Sequence, residues 1–119
     1  MSTNAYIGYY DDSTGQVVAT YCHYDGYIEG VGNELATNYN NSFAAEAVAS
    51  VGYLSGLYET ISKSVENSVH KDDEPMLFGS IEEFLGECAE HYGIEYAYLW
   101  VEGQWFVMAT DHRVYPAVA

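Results

Sequence analysis

The chain has 119 residues and 13.2 kDa, with 49% hydrophobic and 16% aromatic residues. That suits one domain, residues 1–119, with one core, and it argues against disorder. Eighteen Asp and Glu against three basic residues, Lys63, Lys71 and Arg113, give a net charge of -15. Contact with nucleic acid or an anionic membrane through a basic patch is thereby excluded, and the expected partner is basic or metallic.

The first residues, Met-Ser-Thr-Asn-Ala-Tyr, lack the basic and apolar regions of a signal peptide, and no apolar run approaches the ~18 residues of a membrane span. The expectation is a cytoplasmic protein. Its two cysteines, Cys22 and Cys88, are too few for a disulfide framework and are expected to be reduced thiols.

In chain order, residues 5–10 (AYIGYY) and 17–24 (VVATYCHY) are β-branched and aromatic and flank the turn formers of residues 11–16. They predict a hairpin. Ile28, Val31, Leu35 and Tyr39 recur at helical spacing and predict a first helix, with Asn40-Asn41 as its stop. Residues 43–51 predict a second, Ala-rich helical stretch, interrupted by Gly52-Tyr-Leu-Ser-Gly56 before Leu57–Ile61. The polar residues 62–79 read as a long surface loop. Ser80-Ile-Glu-Glu83 has the form of a capping box. Ile81, Phe84, Leu85, Cys88 and Tyr92 then share one helical face, with Gly93 as the stop. Residues 95–101 and 105–110 straddle Glu102-Gly103-Gln104 and predict a second hairpin. The expected fold is a two-layer α+β sandwich, in which two hairpins form a four-stranded antiparallel sheet with the helices packed on one face.

Chemistry is sparse. Cys22, His23 and Asp25 lie within four positions, which suggests nucleophilic catalysis. On a strand, however, Cys22 and His23 point to opposite faces, so the expected arrangement is a core Cys, an outward His and a turn at Asp25-Gly26. Cys88-x-x-His91 has metal-ligand spacing but no second pair to complete a site, and His112 stands alone. Asp11-Asp12-Ser13-Thr14-Gly15 lacks the ligand spacing of an EF-hand loop. No phosphate-binding glycine loop is present. No metal, no cofactor and no enzymatic activity are expected. The thirteen tyrosines fit core edges and interface surface, where the ring is buried and the hydroxyl stays wet.

The carboxylates are the informative feature. No Lys or Arg occurs between residues 72 and 112, while Asp72, Asp73, Glu74, Glu82, Glu83, Glu87, Glu90, Glu95 and Glu102 fall in the block 72–102, with Asp111 just beyond. Glu83 and Glu87 meet as like charges one helical turn apart. A folded chain of this mass exposes roughly 6,400 Å², so an even spread gives one carboxylate per ~360 Å², against roughly one charge per 100 Å² on duplex DNA. Imitation of nucleic acid therefore requires clustering, which this block offers.

At residues 21–32 the chain reads Tyr21-Cys22-His23-Tyr24-Asp25-Gly26-Tyr27-Ile28-Glu29-Gly30-Val31-Gly32. It thereby resembles a family of small bacteriophage-encoded proteins with a Cys-His-x-Asp-Gly-Tyr-x-x-x-Val-Gly signature. Tyr96-Ala97-Tyr98-Leu99-Trp100 and Gly103-Gln104-Trp105 are similar to that family's closing hairpin, whereas residues 51–57 depart from its middle segment. The resemblance implies a phage origin and no particular activity. By analogy with small acidic phage proteins, it points to a host-directed inhibitor in the host cytoplasm. The expected function is an acidic mimic that occupies the DNA- or RNA-binding channel of a basic host defence or DNA-processing protein. Its expected partner-binding residues are Asp72, Asp73, Glu74, Glu82, Glu83, Glu87, Glu90 and Glu95. The alternative is an interaction module that binds a host protein through its Tyr-rich surface. Either reading is compatible with a homodimer.

Overall fold

The computed structural model describes residues 3–70, 72–90, 93–109 and 114–116, the last three as backbone. The fold class is α+β, but the sheet is larger and more mixed than two hairpins provide. Strands β1 (Asn4–Asp11) and β2 (Gln16–Cys22) form the first hairpin, and β5 (Ile94–Val101) and β6 (Gln104–Ala109) the second. The hairpins join through a parallel pairing of β1 with β5. Three short strands extend the sheet to seven: β3 (Tyr53–Leu54), β4 (Met76–Phe78) and β7 (Val114–Pro116). The order is β3-β2-β1-β5-β6-β7, with β4 sharing the outer edge of β2.

The helices do not all lie on one face. The chain from β2 runs through one turn of π-helix, Ile28–Gly32, into α1 (Asn33–Asn38) and then α2 (Ser42–Ala49). With α3 (Ile61–Glu66), these cover the side of the sheet presented by Ala5, Ile7, Tyr98, Trp100, Trp105 and Val107. Helix α4 (Ile81–Glu90) covers the other side, setting Phe84 and Cys88 against Tyr6, Val17, Ala19 and Leu99. The central strand carries the reason. Ala5 to Gly8 are buried without alternation, the pattern of a strand covered on both faces.

The supposed loop 62–79 is a second correction, since it contains α3 and β4. Its serines are structural. Thr60 caps α3 by accepting from the Lys63 backbone N–H at 3.1 Å, and buried Ser64 accepts from the Tyr58 N–H at 2.8 Å. Ser68, also buried, accepts from the Ser55 N–H at 2.9 Å. Helix α1 ends at Asn38, just before Asn40-Asn41, and Asn41 also starts the next helix, accepting from the Ala44 N–H at 2.9 Å. The expected cap is present in a shifted form: Ser80 Oγ accepts from the Glu83 N–H at 3.1 Å, while Glu83 Oε2 accepts from the N–H of Gly79, one residue before the cap, at 2.8 Å.

Candidate functional site

Two regions concentrate the residues singled out from the sequence: the loop that leaves β2, and the outer face of α4. The loop is a structural lock. Cys22 is fully buried among the residues under α1, and its Sγ lies 3.5 Å from the Tyr24 carbonyl oxygen. Beyond it, the backbone N–H groups of His23 and Tyr24 donate to Leu54 and Ser55 at 2.9 and 2.8 Å, continuing the ladder to β3. Asp25 then takes a left-handed backbone, φ 60°, and its carbonyl accepts from the Val31 N–H at 2.9 Å. Gly26 donates to the Thr3 carbonyl at 2.9 Å, and its own carbonyl accepts from buried Tyr98 Oη at 2.7 Å. Gly30 packs so closely on the Asp25 carbonyl that a Cβ there would sit 2.3 Å from its oxygen. Tyr27 is exposed, with its hydroxyl 3.2 Å from Asp25 Oδ1. The signature residues thus bind the exit of β2 to the π-turn and to β5.

No nucleophile–base pair forms here. His23 faces away from Cys22 and shares a face with Tyr21. The Tyr21 hydroxyl lies 2.8 Å from His23 Nδ1 and accepts from Asn4 Nδ2 at 2.7 Å. The geometry suits a chain from the Asn4 amide through the Tyr21 hydroxyl to the ring nitrogen. Burial pushes the Cys22 thiol up to about 12, and burial followed by the Glu87 charge does the same for Cys88. Both are therefore protonated and poorly nucleophilic at neutral pH. Cys22→Ser and His23→Gln are accordingly expected to leave partner binding unchanged in protein that still folds. Complete loss of binding by either folded variant would restore a chemical role to this segment.

Sequence reasoning did not anticipate the aromatic strip that runs across the sheet beside this loop, from the central β1 out to the edge strand β3. Tyr6, Tyr21, Tyr53 and His70 follow one another with ring centroids 6.2, 5.5 and 4.8 Å apart. The hairpin register pairs Tyr6 of β1 with Tyr21 of β2, and the pairing of β3 with β2 adds Tyr53 beside Tyr21, with His70 of the segment after α3 beyond it. Tyr24, 52% exposed, stands edge-on to the His23 ring at 4.5 Å.

The second region is the acidic one. All seventeen described carboxylates are exposed or half-exposed. Among the described residues the only ion pair is Lys63 with Glu59, at 2.8 Å on the surface. The accessible surface is 6426 Å², so an even spread would still leave these charges too sparse to resemble duplex DNA. Helix α4 departs from that average. Phe84 and Cys88 occupy its inner face, and Glu82, Glu83, Glu87 and Glu90 all project from the exposed side. Glu95 lies exposed at the start of β5, and Asp72, Asp73 and Glu74 lie exposed on the segment leading into β4. That segment passes the β3 edge, where the Asp73 carbonyl lies against Gly52.

Among the described residues, no group of three or more His, Cys, Asp or Glu is placed to hold a metal ion, and no helix is long and apolar enough to cross a membrane. His91, Tyr92, Thr110, Asp111 and His112, and the basic Lys71 and Arg113, lie outside the described residues. Asp11 holds its own turn: Oδ1 accepts from the Ser13 N–H and hydroxyl at 3.0 and 2.6 Å, and these bonds lower its pKa. Compared with known protein families, with curated proteins and with solved structures, the chain matches none.

Proposed function

We propose that the protein is a non-enzymatic acidic mimic of nucleic acid, whose carboxylates on and around α4 occupy the basic DNA- or RNA-binding channel of a partner protein. The resemblance of residues 21–32 to a phage signature makes that partner a host defence or DNA-processing protein. The supporting observation is local charge density. Glu82 and Glu90 are eight residues apart on α4, a rise of about 12 Å, so the four carboxylates have a mean axial spacing of ~4 Å. A single DNA strand spaces its phosphates at ~3.4 Å.

These charges do not serve the helix. Glu82 and Glu83 lie in its first turn and gain from the dipole, but Glu87 and Glu90 lie toward the C-terminal end, where no basic residue occurs. The Glu83–Glu87 repulsion costs a few tenths of a kcal/mol more. Charge held against local stability is what a binding surface requires.

The test is the triple variant Glu83→Gln, Glu87→Gln, Glu90→Gln. Three surface charge pairs at about 0.5–1 kcal/mol each predict roughly 10- to 100-fold weaker binding to a target captured from host lysate. The melting temperature should barely move, because relief of repulsion offsets the weakened cap. Sensitivity instead at Asp11, Asp12, Asp25 and Glu29 would move the surface to the first hairpin. Indifference to both sets would end the electrostatic reading. The aromatic strip and exposed Tyr24, Tyr27 and Tyr58 favour the second reading, a Tyr-rich protein-interaction surface, for which a salt-insensitive complex would be the mark.

A further inference from the structure

Helix α4 presents three stripes: Phe84 and Cys88 inward, the four glutamates outward, and Ile81 with Leu85 between them, half-buried. Ile81 and Leu85, one helical turn apart, form one wall of an open groove of about 270 Å³. Its floor is the sheet beyond the helix. There Leu99 and Val101 of β5 lie beside Phe106 of β6, the cross-strand partner of Leu99. The groove exists because α4 packs mainly on β2, β4 and β5, while the apolar face of the sheet continues onto β6. Glu102, held at φ 54° in the β5–β6 turn, is the carboxylate that lines it, and at about 100° per residue Glu82 is the α4 glutamate nearest its helical wall.

We propose that this groove is a docking site for an amphipathic, basic segment of a partner protein, its apolar side chains seated on Leu85 and Phe106 and its Lys or Arg residues meeting Glu102 and Glu82 at the groove's two sides. The inference rests on the proposed acidic surface and names the chemistry of the segment that surface takes. Charge complementarity selects the occupant. A second copy of the chain would bring a second acidic rim against the first, and an anionic bilayer would be repelled. A segment with an apolar core and a cationic border satisfies the groove and its rim together, in the arrangement of protein interfaces generally.

The experiment titrates the full chain with two synthetic peptides of identical Leu and Lys content, one ordered to form an amphipathic helix and one reordered to abolish the apolar face. The protein is expected to prefer the amphipathic peptide by about tenfold or more, the effect of seating one apolar side chain. Leu85→Gln and Phe106→Gln should each reduce that preference below about threefold without changing affinity for the reordered peptide. On the unaltered protein, NMR shifts caused by the amphipathic peptide should centre on Ile81, Leu85, Val101 and Phe106, which keeps the test decisive where a variant fails to fold. Equal binding of the two peptides, shifts centred elsewhere, or a preference that survives in both variants would overturn the proposal. So would a dimer of the free protein that Leu85→Gln dissociates, since the occupant would then be a second copy. Both Gln variants keep every carboxylate, and the triple Glu→Gln variant keeps the groove. Loss of the peptide preference with target capture still charge-dependent therefore sinks the groove alone, and the reverse sinks the mimic alone.

Discussion

Gly30→Ala is expected to cost about 3 kcal/mol or more and to lower the melting temperature by on the order of 10 °C, a large share of a stability that is typically 5–15 kcal/mol. The new Cβ would lie 2.3 Å from the Asp25 oxygen and 3.2 Å from its carbonyl carbon, both backbone atoms that no rotamer change can move. Relief requires shifting a carbonyl that already accepts from the Val31 N–H. That shift displaces Gly26, whose own carbonyl holds the buried Tyr98 hydroxyl. An unsatisfied buried partner adds about 1–3 kcal/mol to the strain. Gly86→Ala is the matched control. It lies on the exposed side of α4 with nothing within 4 Å of its would-be Cβ, so it should stabilise by about 0.5–1 kcal/mol through helix propensity alone. Thermal denaturation of the two variants measures both effects. A Gly30→Ala melting temperature equal to that of the unaltered protein would mean that the signature loop is not the lock described here.

What was legible in the sequence follows from the range of the forces involved. The two hairpins and α4 are written in local signals: turn formers between β-branched runs, and a Ser-x-x-Glu cap before an apolar stripe. The parallel pairing of β1 with β5 joins residues about ninety positions apart and leaves no such local mark. It could still have been suspected, because Ala5-Tyr6-Ile7-Gly8 shows no polar alternation, and an unbroken apolar run signals a strand covered on both faces rather than one. The stretch 62–79 misled for the opposite reason. Ser64 and Ser68 are polar in composition but buried in fact, since each takes a backbone N–H as partner. As for the candidate site, the acids of α4 and their like-charge spacing were readable from the one-turn repeat. The aromatic strip and the groove beside α4 were not, because each is assembled by sheet pairings between distant segments.

Salt is expected to act on the complex far more than on the fold. On duplex DNA each phosphate contact releases cations condensed on the DNA and contributes a slope of roughly 0.9 in log affinity against log salt, which is an upper bound for the less densely charged carboxylates of α4. Four contacts from Glu82, Glu83, Glu87 and Glu90 therefore predict a loss of up to about 100-fold between ~50 and ~200 mM salt. The triple Glu→Gln variant leaves one of the four and should flatten that slope by about three-quarters. The fold should be nearly indifferent over the same range. Its two cores are apolar, and its only described ion pair, Lys63 with Glu59, is half-exposed at 51% and 53%, where such pairs contribute little. If anything, screening of the -15 net charge should stabilise the folded chain slightly by weakening self-repulsion. Binding and melting curves collected across one salt series would separate the two responses. A complex whose affinity is constant from ~50 to ~200 mM salt would exclude the α4 carboxylates as phosphate substitutes, because no exposed cluster of charges can bind a basic channel without feeling the Debye screening that shortens from ~14 to ~7 Å over that interval.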